Sequence, residues 1–280
     1  VKTWIAALGV VLLAVLTPVR ADADPLPPLP TSPFGDPPGA NDWACTPTAA
    51  RPEPVILVHG TFGDRKNLLE DLSTALVGDG YCVFSLDYGN RATGPIEDSA
   101  RQLEAFTDKV LAATGAERVS MVGHSQGGLM PRYYIKFLGG AEVVDDLVGI
   151  APSNHGAGGQ GGQSGSGSGS RGASPTGTFC DACTQQAAGS EFLTHLNAGD
   201  ETPGGVSYTQ ITTRYDEVVT PYTSGFLAAG PATTNITLQD ACPGDYAEHI
   251  RIPQSTAAIS WTLDALSRPG PADPAFRPDC

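Results

Sequence analysis

Short apolar runs and helical stripes alternate along most of the chain. Val55-Ile56-Leu57-Val58 is a four-residue apolar run ending at His59-Gly60, the form of a strand buried on both faces. Leu68, Leu69, Leu72, Ala75 and Leu76 follow at helical spacing, and Gly78 and Gly80 close the stripe. A second strand is expected over 81–86. Ile96, Ala100, Leu103, Phe106 and Val110 are separated by 4, 3, 3 and 4 residues, one face of a helix that Gly115 ends. Val119-Ser120-Met121-Val122 predicts a third strand and 125–138 its helix, with a kink at Pro131 because proline breaks the helical ladder. Further strands are expected over 147–150, 206–213 and 235–238, and a closing helix over 255–266. Strand and helix in alternation predict an α/β protein, a mostly parallel central sheet with helices on both faces.

The ends and one internal stretch depart from this rhythm. Lys2 precedes an almost unbroken apolar run from Ile5 to Leu16, and Ala21-Asp22-Ala23 is a small-x-small cleavage pattern. Residues 1–23 are therefore expected to be a secretory signal peptide. About twelve apolar residues are too few to cross a bilayer comfortably, so no permanent membrane anchor is expected. Residues 24–52 are rich in Pro and Gly and predict an arm leading into a catalytic domain over 53–268. A loose tail over 269–280 completes the division. Residues 156–172 are almost purely Gly, Ser and Gln, a flexible loop with too little apolar surface to order itself. It offers no amphipathic face for a lid, and Phe192, Leu193 and Leu196 are expected in the core. The predicted site is open, with little interfacial activation.

Charge narrows the choice of partner. Thirty acidic and 16 basic residues give a net charge of −14, which disfavours nucleic acid and charge-driven docking on anionic lipid. Six cysteines in an exported chain predict three disulfides. Connectivity is open from sequence. We expect Cys180–Cys183 as a small local loop, Cys242–Cys280 tying down the C-terminus and Cys45–Cys82 clipping the arm to the sheet. Cys180 and Cys183 form the only C-x-x-C, in a stretch that reads as loop rather than helix start, which disfavours redox chemistry. Neither paired C-x-x-C motifs nor a D-x-D-x-D run occurs, so no metal or cofactor is expected, and the chain is expected to act as a monomer.

The chemistry concentrates at Gly123-His124-Ser125-Gln126-Gly127. This is G-x-S-x-G, with an apolar strand before it and Gly128 and an apolar helix after it. That context is a nucleophile elbow, a turn so tight that its flanks must lack bulk and the serine is pushed above the sheet. A serine hydroxyl needs a base, and the base needs an acid to hold its tautomer. On such folds the chain order is Ser, acid, His. Among five histidines, His59 lies in the first turn, His124 inside the elbow, His155 just after the fourth strand, and His195 on the solvent side of its helix. His249 alone leaves a strand-end acid between itself and Ser125. Asp216, on the loop leaving the fifth strand, is the favoured acid. Glu217 is chemically able but expected to point away from His249, while Asp240 and Asp245 are expected to be solvated loop carboxylates. Backbone N–H groups of Gln126 and of Thr61 would meet the oxyanion, and the Thr61 hydroxyl could add a third bond.

Val58 to Gly63, Gly123 to Gly128, Pro152 to Gly156 and Arg214 to Pro221 together resemble secreted actinobacterial lipases and esterases of the α/β-hydrolase superfamily. Within it they are similar to the class 2 triacylglycerol lipases, relatives of the small Bacillus lipases. The resemblance runs from about residue 52 to residue 268. It implies the α/β-hydrolase fold and carboxylic-ester hydrolysis of lipid or other ester substrates. Ser125, Asp216 and His249 would be the triad, with Thr61 and Gln126 as oxyanion donors. The Gly/Ser insertion after His155 departs from the family pattern near the acyl pocket and leaves the substrate range open. A polyester depolymerase or an acyltransferase would use the same triad, and a non-catalytic binding module is the reading from another class.

Overall fold

A computed structural model describes residue 1, residues 35–158 and residues 180–280. The expected signal peptide from residue 2 onward, the first part of the arm, and the Gly/Ser loop from residue 159 onward lie outside these. Within them the chain runs β1 (Val55–Val58), α1 (Glu70–Gly78), β2 (Val83–Leu86), α2 (Gly89–Ala92), α3 (Ile96–Thr114), β3 (Val119–His124), α4 (Gln126–Phe137) and β4 (Val144–Ile150). It continues through α5 (Asp181–Gln185), α6 (Glu191–Leu196), β5 (Ser207–Thr212), β6 (Thr233–Thr237), α7 (Leu238–Ala241) and α8 (Thr256–Leu266). The six strands form one sheet in the order β2-β1-β3-β4-β5-β6, and every pairing is parallel. This is the α/β-hydrolase arrangement of a parallel sheet between two helical layers.

Successive residues of a strand face opposite sides, so an unbroken apolar run feeds two cores at once. Val55 and Leu57 pack with Leu69, Leu72 and Leu76 of the α1 region and with Ala258, Trp261 and Ala265 of α8. Ile56 and Val58 pack on the other side with Ile96, Leu103 and Phe106 of α3 and Leu129, Met130 and Tyr134 of α4. Phe192, Leu193 and Leu196 join that second core.

Several local expectations need correction. Leu68 is not on α1: its φ is +66° and the helix begins at Glu70, because the chain must still turn out of the loop after β1. The α4 helix runs unbroken through Pro131. A proline at mid-helix costs one ladder bond, and packing of the buried α4 face on the sheet compensates. Cys180 is the N-cap of α5, its Sγ accepting from Cys183 N at 3.1 Å, so the C-x-x-C opens a short helix rather than lying in a loop. The tail is not loose. Ala272 is fully buried, accepts from Thr234 Oγ1 at 2.8 Å and donates to Thr209 Oγ1 at 3.0 Å.

All three disulfides have the expected pairing: Cys45–Cys82, Cys180–Cys183 and Cys242–Cys280. The first holds the arm against β2, the outer strand on that side. There Asn41 N donates to Val83 O at 2.9 Å, its Nδ2 donates to Ser85 O at 2.9 Å, and its Oδ1 accepts from Ser85 N at 3.0 Å. On β6, at the opposite edge, Asn235 Oδ1 accepts from Leu227 N at 3.0 Å and Nδ2 donates to Leu227 O at 2.9 Å. Among the described residues no helix is long and apolar enough to cross a membrane.

Candidate active site

The strand order reverses direction between β1 and β3, and parallel sheets open a crevice at such a switch point, beyond the carboxyl ends of the strands. The loop after β1 carries Thr61, the turn after β3 carries Ser125, and the loops after β5 and α7 carry Asp216 and His249. The topology therefore brings all the expected site residues to one edge of the sheet.

Ser125 sits at φ +57° and ψ −122°, between β3 and α4, a conformation that costs roughly 1–3 kcal/mol and persists only where the surroundings enforce it. The surroundings do so through glycine. A Cβ on Gly123 would lie 1.8 Å from Gly127 O, and one on Gly127 would lie 2.1 Å from Val58 O. No side chain fits at either place, so strand and helix meet at backbone contact.

Ser125 Oγ is 3.1 Å from His249 Nε2, and His249 Nδ1 is 2.9 Å from Asp216 Oδ2. The second carboxylate oxygen of Asp216 accepts from Val218 N at 2.9 Å and Val219 N at 2.7 Å. These bonds occupy one carboxylate oxygen and leave the other for the imidazole. All three side chains are buried. Thr213 Oγ1 donates to Ala247 O at 2.7 Å, and Gln239 Nε2 donates to Asp245 O at 3.0 Å. The acid loop and the histidine loop are thereby tied together.

Two neighbouring carboxylates differ from expectation. Glu217 does not point away from His249: its Oε2 accepts from the His249 backbone N at 3.3 Å, steadying the main chain while Asp216 holds the ring. Asp245 is not a solvated loop carboxylate. It accepts from Ala247 N at 2.8 Å and from the α8 cap Ser255 Oγ at 2.5 Å, because the histidine loop must be fastened to the helix that follows. Asp240 is exposed and pairs with Arg214. Of the other histidines, His155 is exposed and 2.9 Å from Glu201, and His195 is exposed and stacks on Phe137.

Two buried histidines flank the site without joining the relay. His124 donates from Nε2 to His249 O at 2.8 Å, and burial, helped by the nearby His249, pushes its pKa down to about 3. His59 donates from Nδ1 to Gly60 O at 2.8 Å and stacks on Tyr88, with burial pushing it down to about 4. Both are neutral braces.

On the far side of Ser125, Thr61 Oγ1 accepts from Gln126 Nε2 and from Gln186 Nε2, each at 3.0 Å. Behind this loop, the short α2 segment is a left-handed turn rather than a right-handed helix: Asn90, Arg91 and Ala92 all hold positive φ (50°, 61° and 56°), which costs about 1–2 kcal/mol per non-glycine residue. Its carbonyls do the holding: Arg91 O accepts from Phe62 N at 2.8 Å and Ala92 O from Gln126 Nε2 at 3.0 Å. Sequence reasoning missed Gln186 and this turn, and no local pattern announces either.

A cleft of about 360 Å³ opens above Ser125 and His249. Phe62, Leu68, Val218 and Ile250 give it apolar walls, and Thr61 and Gln186 give it a polar corner. Phe62 is 50% and Ile250 48% exposed at its mouth. The arrangement can activate a hydroxyl, accept negative charge beside it and seat a mostly apolar acyl group.

The model of the family described as "Lipase (class 2)" matches residues 52–262. A triacylglycerol lipase of Pseudarthrobacter phenanthrenivorans is 41% identical over 92 residues, 30% of this chain and 28% of that protein. One from Burkholderia plantarii is 41% identical over 92 residues, 30% of this chain and 25% of that protein. The matched part thus spans about a quarter of the length of each relative. Aspergillus fumigatus lipase B superposes with a TM-score of 0.69 at 22% identity, covering 86% of this chain and 57% of that one. The mature Bacillus licheniformis lipase BlEst2 does so at 0.55 and 17% identity, covering 74% and 88%. At these identities the structural likeness is one of fold.

Proposed function

Because the chain belongs to the class 2 lipase family, we propose that it hydrolyses carboxylic esters of lipids, with Ser125 as nucleophile, His249 as base and Asp216 as orienting acid. The observation that carries this reading is the unbroken hydrogen-bond relay from Asp216 through His249 to Ser125 beneath an apolar cleft.

In the first half-reaction Ser125 Oγ attacks the ester carbonyl and its proton passes to His249 Nε2. The carbonyl electrons move to oxygen, where backbone N–H groups of Gln126 and Thr61 receive the charge, aided by the positive end of α4. The tetrahedral centre collapses, the alcohol leaves with the proton from His249, and an acyl-Ser125 remains. Water, deprotonated by His249, then repeats the sequence and releases the acid. Asp216 keeps the proton-bearing Nδ1 of His249 turned towards itself, so that Nε2 is free to accept.

We propose further that the protein is secreted. Three disulfides and no free cysteine among the described residues suit an oxidising compartment, and the leader pattern of residues 1–23 supplies the route. The test is a panel of p-nitrophenyl esters from acetate to palmitate on purified protein, with labelling by a fluorophosphonate. Hydrolysis and labelling of the wild-type chain, both lost in Ser125→Ala, are expected. A folded wild-type chain silent on every ester and unlabelled would overturn the reading in favour of a binding module.

A further inference from the structure

Thr61 carries more hydrogen bonds than a turn residue needs. Its hydroxyl oxygen receives one N–H from Gln126 and one from Gln186, both at 3.0 Å. Each of these amide nitrogens is fixed through its second hydrogen as well, Gln126 on Ala92 O at 3.0 Å and Gln186 on Ala182 O at 3.1 Å. The carbonyl end of Gln186 accepts from the Ser153 hydroxyl at 2.8 Å. Backbone carbonyls take donors only, and the Ser153 hydroxyl donates to the opposite end. The Gln186 amide therefore has one satisfied orientation, nitrogen towards Thr61.

A hydroxyl has two acceptor positions and one proton. With both acceptor positions filled, the Thr61 proton is confined to the remaining direction. Thr61 is half-buried and lines the cleft above Ser125. Gln186 itself is buried and sits one residue beyond α5. That helix is anchored to the start of α3 by Ala182 N to Thr93 O at 3.1 Å and by Ile96 N to Gln185 Oε1 at 2.7 Å. The donor is held by fixed structure before any substrate arrives, which is what makes an electrostatic contact effective in a transition state.

We propose that Gln186 is a positioning residue: by occupying one acceptor site of the Thr61 hydroxyl, it aims that proton at the developing oxyanion. This rests on the reading of the site as an ester hydrolase. Gln126 fills the other acceptor site but stands on the elbow and offers its own backbone N–H to the same charge. Gln186 lines the cleft as well, but both hydrogens of its amide are already used on Thr61 and Ala182, and its hydrogen-bonded link to the oxyanion position runs through Thr61. Losing its amide frees the hydroxyl to rotate, which weakens the transition state and leaves the ester ground state almost untouched.

The experiment is a double-mutant cycle on p-nitrophenyl butyrate, with kcat and KM measured for wild type, Gln186→Met, Thr61→Val, Thr61→Ser and the combinations with Gln186→Met. Gln186→Met keeps volume and adds no charge. It is expected to lower kcat by about tenfold with KM within about twofold, less than the loss of a whole oxyanion donor. In the Thr61→Val background it should have no further effect, whereas Thr61→Ser, which keeps the hydroxyl, should stay sensitive to it. Ser153→Ala, which releases the far end of the Gln186 amide, is the second probe if Gln186→Met fails to fold, and the same coupling to Thr61 is expected of it. Equal losses in the wild-type and Thr61→Val backgrounds, or a change in KM alone, would overturn the role of Gln186 while leaving the hydrolase reading intact. A wild-type chain inert to every ester would overturn both.

Discussion

The two sides of Ser125 are held in different ways. On the base side, Asp216 is fixed by backbone N–H groups two and three residues further on. Glu217 and His124 steady the His249 main chain, but its imidazole Nδ1 has one partner, Asp216, so the side chains form a single line. On the oxyanion side, Thr61 is held by side-chain amides from two distant segments, each braced on a separate backbone carbonyl. A line has no redundancy, so removing any member removes its function. A net shares the task, and cutting one thread loosens it by degrees. The contrast predicts all-or-none behaviour on one side and graded behaviour on the other.

The largest effects test the line. Ser125→Ala and His249→Ala should each lower kcat by about 10⁴–10⁶, and the double variant should be no worse than either. Stopped assays on highly purified protein measure this, and multiplicative losses would break the comparison. Asp216→Asn should cost about 10⁴ by favouring the wrong imidazole tautomer, whereas Glu217→Gln, which touches only the His249 main chain, should stay within about tenfold. If the two were equally damaging, the acid assignment would be wrong. On the net side, Thr61→Val keeps the backbone donor and loses the hydroxyl, so kcat should fall by about 10² with little change in KM.

A smaller effect separates the two sides by pH. His59 braces the oxyanion loop and His124 the base, and burial keeps both neutral, with pKa values of about 4 and about 3. Unfolded, each would bind a proton near 6.5. The unfolded state therefore holds more protons below that pH, and stability, full above about 6.5, is lost as pH falls towards 4. Each group contributes about 1.4 kcal/mol per pH unit within its window. Asp146, on β4, acts in the opposite sense. Burial first, then Asp145, raises it to about 8, so its contribution is lost as pH rises from about 4 to 8. Melting temperature against pH should thus fall below 6.5 in the wild type and rise above the wild-type curve in Asp146→Asn as pH increases. A flat wild-type curve between pH 4 and 6.5 would show that the braces are hydrated.

What was legible in the sequence was local. Val55 to Val58, Ile96 to Val110 and the G-x-S-x-G turn declare themselves because strand, helix and elbow each impose a period or a steric demand on neighbouring residues. Chain order singled out Ser125, Asp216 and His249, which the fold joins by hydrogen bonds, and all three disulfide pairings agree with expectation. What was hidden depends on contacts between remote segments. Gln186 has no pattern around it, and its role arises only where α5 meets the loop after β1. Leu68 has the spacing of a helix residue, but the need to turn the oxyanion loop overrides that spacing. Glu217 and Asp245 were misplaced because a carboxylate that accepts from a backbone amide has the same sequence appearance as one in water.

A parallel sheet leaves two outer strands whose peptide groups could recruit another copy of the chain, the usual route to fibrils and precipitates. Here the outer strand β2 is answered by one asparagine. Asn41 completes a peptide-like pair with the Ser85 main chain, whereas Asn235, itself on β6, spends its side-chain amide on the Leu227 main chain. An asparagine side chain carries the same donor and acceptor as the main chain, and so Asn41 satisfies a strand without extending it. The Cys45–Cys82 bridge keeps this cover in place. Reduction of that bond thus bears on colloidal behaviour more than on turnover: a chain with Asn41 released keeps the Asp216–His249–Ser125 hydrogen bonds but exposes a strand that others can join.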